Sequence, residues 1–240
     1  LGDFNGIGPE VTLKSVVHPA IRRICSPILI GSLQVCEYYA RRYGLTVDLE
    51  EVESVPTRFP PRAVPVLQTQ TYQRASIRPG ALSKEAGRFA GEAITLGAVL
   101  CMQGLIHGIV TAPSSKEAMV QGGFAYPGQT ELVARLSGAS GFTMMLIAGG
   151  FRIGLVTAHI PLRDIPRKLS PKTIVDKLCI VDRSLKRDFG IRSPKIAVLG
   201  LNPHAGEAGQ LGHEEQDWLL AALQAWQERH PSVRLEGPMP

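Results

Sequence analysis

The chain has few cysteines, few aromatics and no long apolar run, and each shortage excludes a class of protein. Cys25, Cys36, Cys101 and Cys179 stand far apart, with no Cys-x-x-Cys pair and no dense framework. That spacing excludes a disulfide scaffold or a cysteine-ligated zinc module, and it fits reduced thiols in a cytoplasmic protein. Aromatic residues make up 6% of the chain and no Lys/Arg-rich stripe runs among them, which argues against a nucleic-acid partner. No apolar stretch reaches the roughly 18 residues of a membrane span, and no signal peptide opens the sequence, so no membrane partner is expected. Neither Gly-x-Gly-x-x-Gly nor a phosphate-binding loop with its lysine is present. Charge of one sign does not dominate either. The 26 Lys and Arg against 21 Asp and Glu leave a net charge of +5, a mild excess that suits a small anionic substrate.

What is present is a chain of 240 residues, 44% of them hydrophobic, which is enough for a substantial core. The 25 Gly and 18 Pro are scattered between strand-like and helix-like runs, where they read as turns. Strands are expected at 26–32, 108–112 and 196–201. Helices are expected at 33–44, from Ser83 with a Phe89, Ala93, Leu96 and Leu100 stripe, from Ser170-Pro171 with Ile174, Leu178, Val181 and Leu185 inward, and at 214–229. Their alternation predicts an α/β class of mostly parallel, doubly wound sheets. Leu1 reads as the end of a strand and Gly237-Pro238-Met239-Pro240 as a turn, so the sequence is expected to be part of a longer one.

Two stretches carry the candidate chemistry. In 195–209, KIAVLGLNPHAGEAG, an apolar strand is broken abruptly and His204 follows, at the edge where open α/β sheets bind ligands. In MMLIAGGFRIGLVTAHIPLRDIP, two apolar runs lead to His159, which is followed by the strand breaker Pro161. A single loop histidine is commonly a hydrogen-bonded surface residue, whereas two at strand ends can share a metal or catalytic site. Imidazole is a common ligand of Zn²⁺ and similar ions, and a third ligand must then come from elsewhere. Lesser candidates are the glycine-rich GDFNGIGPE at 2–10, Lys116 behind Ser114 and Ser115, and Gln129 with Thr130 at a helix start. The first is either an anion cradle or a tight turn needing positive φ at Gly6 or Gly8, and Thr130 either meets a ligand or caps a helix.

GDFNGIGPE, TAPSSK, YPGQTE, TAHIPLRDIP and LNPHAGEAG, in this order over nearly the whole chain, resemble the PdxA family, the 4-hydroxythreonine-4-phosphate dehydrogenases of vitamin B6 biosynthesis. The resemblance implies a two-domain fold like that of isocitrate and isopropylmalate dehydrogenases. One lobe would span approximately 1–125 and be completed by C-terminal sequence; the other, 126–240, would carry the metal histidines. It implies oxidation of the C3 hydroxyl of 4-phosphooxy-L-threonine by NAD(P)⁺, then loss of CO₂ to give 3-amino-2-oxopropyl phosphate. One divalent ion, Zn²⁺, Mg²⁺ or Co²⁺, would polarise the alcohol and hold the developing enolate charge. His159 and His204 become metal ligands, Gln129 and Thr130 substrate contacts, and the enzyme a homodimer with its site at the interface. The family pattern has Gly-His-Thr-Glu where this chain has Gly128-Gln129-Thr130-Glu131, and Gln cannot take a proton near neutral pH. The third metal histidine, further substrate residues and most of the cofactor site are expected beyond Pro240, so that this stretch alone would be inactive. Alternatives are a catabolic relative acting on a phospho-threonate or an aromatic dihydrodiol, and a metal-dependent hydrolase or aldolase without nicotinamide.

Overall fold

The computed structural model describes residues 1–69, 77–126 and 128–240. Part of the loop region expected between 45 and 80, at 70–76, and Pro127 of the YPGQTE motif lie outside the described residues. The chain divides into two units, Leu1–Ala139 and Ser140–Pro240.

The first unit opens with α1 (Gly8–Val16), which has Pro9 in its first turn, and α2 (Pro19–Ile24). It continues through β1 (Leu29–Gly31), α3 (Leu33–Arg42), β2 (Leu49–Val52) and β3 (Val64–Gln68). The three strands form a parallel sheet in the order β1-β3-β2, with Leu29 and Glu51 both registered against Val66. Parallel strands need crossover connections, and α3 lies in the one that leads from β1 across β3 to β2. Beside the sheet runs α4 (Lys84–Met102), whose N-terminus is capped as expected: Ser83 Oγ accepts a hydrogen bond from the Ala86 amide at 3.0 Å. Phe89, Ala93 and Leu100 of its apolar stripe are buried and Leu96 is half-buried. Phe89 meets Phe4 edge-on, with ring centroids 5.3 Å apart.

One expectation fails here. Residues 108–112 form no strand among the described residues: the segment lies against α4, where Ile109 approaches Gly97, and Val110 is fully exposed. The first unit extends to Ala139. The cause is α6 (Gln129–Leu136), which follows α5 (Lys116–Gln121) and buries Leu132 against Ala90, Ile94 and Met119.

The second unit begins with β4 (Met145–Ala148) and β5 (Phe151–Gly154), an antiparallel pair around Gly149-Gly150. The two apolar runs before His159 are therefore a hairpin, so the expectation of mostly parallel sheets holds for two sheets out of three. A 3-10 turn, Leu162–Asp164, leads to the short α7 (Ile165–Lys168) and then to α8 (Pro171–Arg187), capped by Ser170 Oγ on the Thr173 amide. β6 (Lys195–Leu199) pairs in parallel with β7 (Arg234–Met239). The end of the chain is thus a strand and not the expected turn; a bulge between Ala197 and Leu199 accommodates the Gly237-Pro238 step. Between the two strands stand a π-helical turn, Glu215–Leu219, and α9 (Leu220–Arg229). The core joins Ile174 and Leu178 of α8 to Leu219, Leu223, Trp226 and Val233. Trp226 is fully buried, donates its indole N–H to Cys179 Sγ at 3.2 Å, and stacks on His230 with centroids 4.1 Å apart.

Candidate active site

β6 ends at Leu199, and the chain passes through extended Asn202 into a turn of the opposite hand to an ordinary helix. From His204 to Ala208, φ and ψ are 52/30, 52/42, 80/−6, 42/60 and 54/29°. L-residues pay about 1–2 kcal/mol each for this region, so His204, Ala205, Glu207 and Ala208 together store roughly 4–8 kcal/mol of strain. Such a turn persists only where its surroundings over-determine it, and strain of this kind gathers at functional sites.

Glu215 supplies the restraint. Its carboxylate is 2% exposed; Oε1 accepts the Leu201 amide at 2.8 Å and the Asn202 amide at 2.7 Å, and Oε2 accepts Asn202 Nδ2 at 2.9 Å. Burial pushes the Glu215 carboxyl pKa up, but these donors outweigh it and hold the group below its ordinary value. Asn202 Nδ2 also donates to Glu214 Oε2 at 2.7 Å. Gly206, the buried residue of the turn, lies over the same carboxylate: a Cβ there would sit 2.9 Å from Glu215 Oε2 and 2.8 Å from the Gly212 carbonyl oxygen.

His159 repeats the pattern. It follows the end of β5 in an irregular segment and adopts φ of 56°. Both histidines are exposed, and among the described residues neither ring is held by a hydrogen bond. Both lie in the second unit. Two free imidazoles suit two positions of a borderline divalent ion such as Zn²⁺. Among the described residues no three His, Cys, Asp or Glu side chains stand together as a metal cluster.

Gln129 and Thr130 lie in the first unit. Gln129 Nε2 donates to Ser114 Oγ at 2.6 Å and to the Ala112 carbonyl at 3.2 Å, tying the start of α6 to the TAPSSK loop and leaving the amide oxygen as an acceptor. Thr130 is exposed and does not cap α6, whose cap position is Gly128 with no side-chain bond. Ser115 caps α5 and Lys116 is exposed beside it.

The glycine-rich segment is a brace. Asn5 Nδ2 donates to the Ala81 carbonyl at 3.0 Å, Asn5 Oδ1 accepts the Arg78 amide at 2.8 Å, and Tyr39 donates its hydroxyl proton to the Phe4 carbonyl at 2.8 Å. Positive φ occurs at Gly2 and not at Gly6 or Gly8. Gly8 is required for closeness instead, because a Cβ would stand 2.5 Å from the Leu1 carbonyl oxygen. Sequence reasoning missed Glu215 and Asn202: a Glu-Glu pair opening a helix reads as dipole complementation, and Asn before Pro reads as a turn. The π-helical turn that aims Glu215 back at the loop leaves no pattern in the sequence.

The family model for the pyridoxal phosphate biosynthetic protein PdxA matches residues 23–240. The chain belongs to the PdxA family. It is 37% identical to a 4-hydroxythreonine-4-phosphate dehydrogenase of Synechocystis sp., an alignment covering 100% of this chain and 69% of the relative. It is 36% identical to a D-threonate 4-phosphate dehydrogenase of Cupriavidus necator, covering 100% of this chain and 72% of that one. The crystal structure of a 4-hydroxythreonine-4-phosphate dehydrogenase from Klebsiella pneumoniae superposes with a TM-score of 0.87 at 32% identity, over 100% of this chain and 72% of the other. The relatives bear the names of dehydrogenases, so this PdxA chain is placed among oxidoreductases. Among its described residues no helix is long and apolar enough to cross a membrane.

Proposed function

We propose that this PdxA-family chain serves the NAD(P)⁺-dependent, divalent-metal-dependent oxidation and decarboxylation of 4-phosphooxy-L-threonine in vitamin B6 biosynthesis. The observation that carries the reading is the pair of exposed, left-handed histidines, His159 and His204, each in a segment following a strand of the second unit. Their imidazoles would hold the ion. When bound, Zn²⁺, Mg²⁺ or Co²⁺ acts as a Lewis acid on the reacting oxygen. The C3 hydride passes to NAD(P)⁺ while the hydroxyl proton is lost, giving the 3-keto acid. The bond between C1 and C2 then breaks, CO₂ leaves, and the electron pair is held as an enolate until C2 is protonated, yielding 3-amino-2-oxopropyl phosphate. Gln129, with its oxygen free and its nitrogen anchored on Ser114, accepts a hydrogen bond from the substrate; exposed Thr130 offers a hydroxyl beside it. The two-domain architecture of isocitrate-type dehydrogenases, a homodimer and a cytoplasmic site of action belong to the same reading.

The dimer has a candidate surface: Leu146, Phe151 and Ile153 share one face of the β4–β5 hairpin and are all exposed, an apolar two-stranded face that a second copy would cover. Leu146→Lys with Phe151→Lys is expected to halve the mass measured by sedimentation, and an unchanged mass would remove this surface from the dimer. A second reading is favoured by Gln129 and by the Cupriavidus relative: oxidation of D-threonate 4-phosphate at the same site. Turnover of the two substrates side by side, with NAD⁺ and Co²⁺, decides between them. Turnover of either without nicotinamide would replace both readings by a metal-dependent hydrolase or aldolase.

A further inference from the structure

Glu215 has no part in the reaction just described, yet its buried carboxylate touches the His204 turn at its entrance and its middle. Oε1 takes the consecutive amides of Leu201 and Asn202, at 2.8 and 2.7 Å, where the chain leaves β6; Oε2 takes the Asn202 side-chain amide at 2.9 Å. Gly206, two residues beyond His204, passes so close that a methyl group would stand 2.9 Å from Oε2. The Asn202 carbonyl in turn accepts the Ala205 amide at 3.1 Å, closing the first bend. Three N–H donors occupy the two oxygens, and the side chain is 2% exposed, so Glu215 is fitted to hold backbone and not to exchange protons with a substrate.

We propose that Glu215 is a positioning residue: its carboxylate fixes the left-handed turn 204–208 and thereby presents the His204 imidazole for metal binding. The inference rests on the reading of His204 as a metal ligand. A carboxylate is suited to the task because a single oxygen can receive two adjacent amides while the other receives a third donor. Gln keeps an oxygen for the two amides but turns an NH₂ toward Asn202 Nδ2. Leu keeps the volume and loses every acceptor. Groups that orient a metal-ligating histidine commonly change metal affinity by 10–100-fold when removed.

The test is a Co²⁺ titration of the purified protein, read by visible absorption and by calorimetry, for wild type, His204→Ala, Glu215→Gln and Glu215→Leu, with cooperative unfolding followed by Trp fluorescence. Glu215→Leu is expected to bind Co²⁺ about 10–100-fold more weakly and to alter the ligand-field spectrum while still unfolding cooperatively. Glu215→Gln should restore binding to within a few-fold of wild type. Glu215→Leu with wild-type affinity and spectrum overturns the proposal. If Glu215→Leu does not fold, Asn202→Ala takes its place; it removes the donor to Glu215 Oε2 together with the bond to Glu214 and should weaken binding several-fold, and wild-type affinity there is equally fatal. When His204→Ala weakens binding and the loop variants do not, the positioning role alone fails. When His204→Ala changes nothing, the ligand assignment fails and the positioning role with it.

Discussion

Gly206→Ala probes the left-handed turn most sharply. The residue adopts φ of 80°, and the added methyl would lie 2.8 Å from a backbone oxygen of Gly212 and 2.9 Å from Glu215 Oε2. Placing an L-residue there costs about 1–2 kcal/mol, and crowding a packed site with an extra methyl adds about 1–3 kcal/mol. A rigid turn would pass the whole of about 2–5 kcal/mol to the stability of the second unit. The turn is not rigid in that sense, because it already holds roughly 4–8 kcal/mol of left-handed strain, which any local rearrangement releases. The cheaper response is for residues 204–208 to leave the turn while the Trp226 core stays intact. Gly206→Ala is therefore expected to lower the urea unfolding free energy by less than about 2 kcal/mol and to weaken Co²⁺ binding by about 10–100-fold. Ala208→Gly, at φ of 54°, works in the opposite direction and should stabilise by about 1 kcal/mol, since glycine bears no penalty there. A Gly206→Ala protein with wild-type metal affinity, or one that loses more than about 4 kcal/mol of stability, would refute the reasoning.

Two other measurements test the surrounding structure. Trp226→Ala empties the centre of the α8–α9 core and removes the indole bond to Cys179; it should cost about 3–5 kcal/mol in chemical denaturation, and a loss below about 1 kcal/mol would show that the core lies elsewhere. The Glu215 pKa, held below its ordinary 4.5 in the folded protein, means that the folded state binds this proton less readily than the unfolded chain. Its contribution is fully present above about 4.5 and is lost as the pH falls through the lowered folded value. Thermal unfolding between neutral and acid pH should lose part of its pH dependence in Glu215→Gln, and an identical profile would contradict the assignment.

The helices were legible because their stop and start chemistry is local. Ser83 and Ser170 each announce a cap that the structure forms, and the apolar stripes behind them face the core. Strands were legible only where a partner exists to pair them. GIVTA at 108–112 has the composition of a strand but pairs with none among the described residues, whereas RLEGPM pairs with β6 despite a composition that reads as a turn. The Gly-Gly turn between β4 and β5 is a hairpin signal that continuous apolar sequence obscured. At the candidate site, the histidines stood out because an apolar run breaks before each. The left-handed backbone at His204 did not: the Ala and Glu beside it disfavour that conformation, and the remote carboxylate of Glu215 braces the entrance to the turn. A long-range restraint of that kind leaves no spacing in the sequence.

The account stands most directly on one assay: NAD(P)H formation and CO₂ release from 4-phosphooxy-L-threonine, measured together on the purified full-length protein with and without added Co²⁺, for wild type, His159→Ala and His204→Ala. Equal amounts of the two products, dependent on metal and reduced at least about 100-fold in either histidine variant, are what two ligands of one catalytic ion require. Metal-independent turnover, or wild-type rates in either variant at limiting metal, would contradict the account.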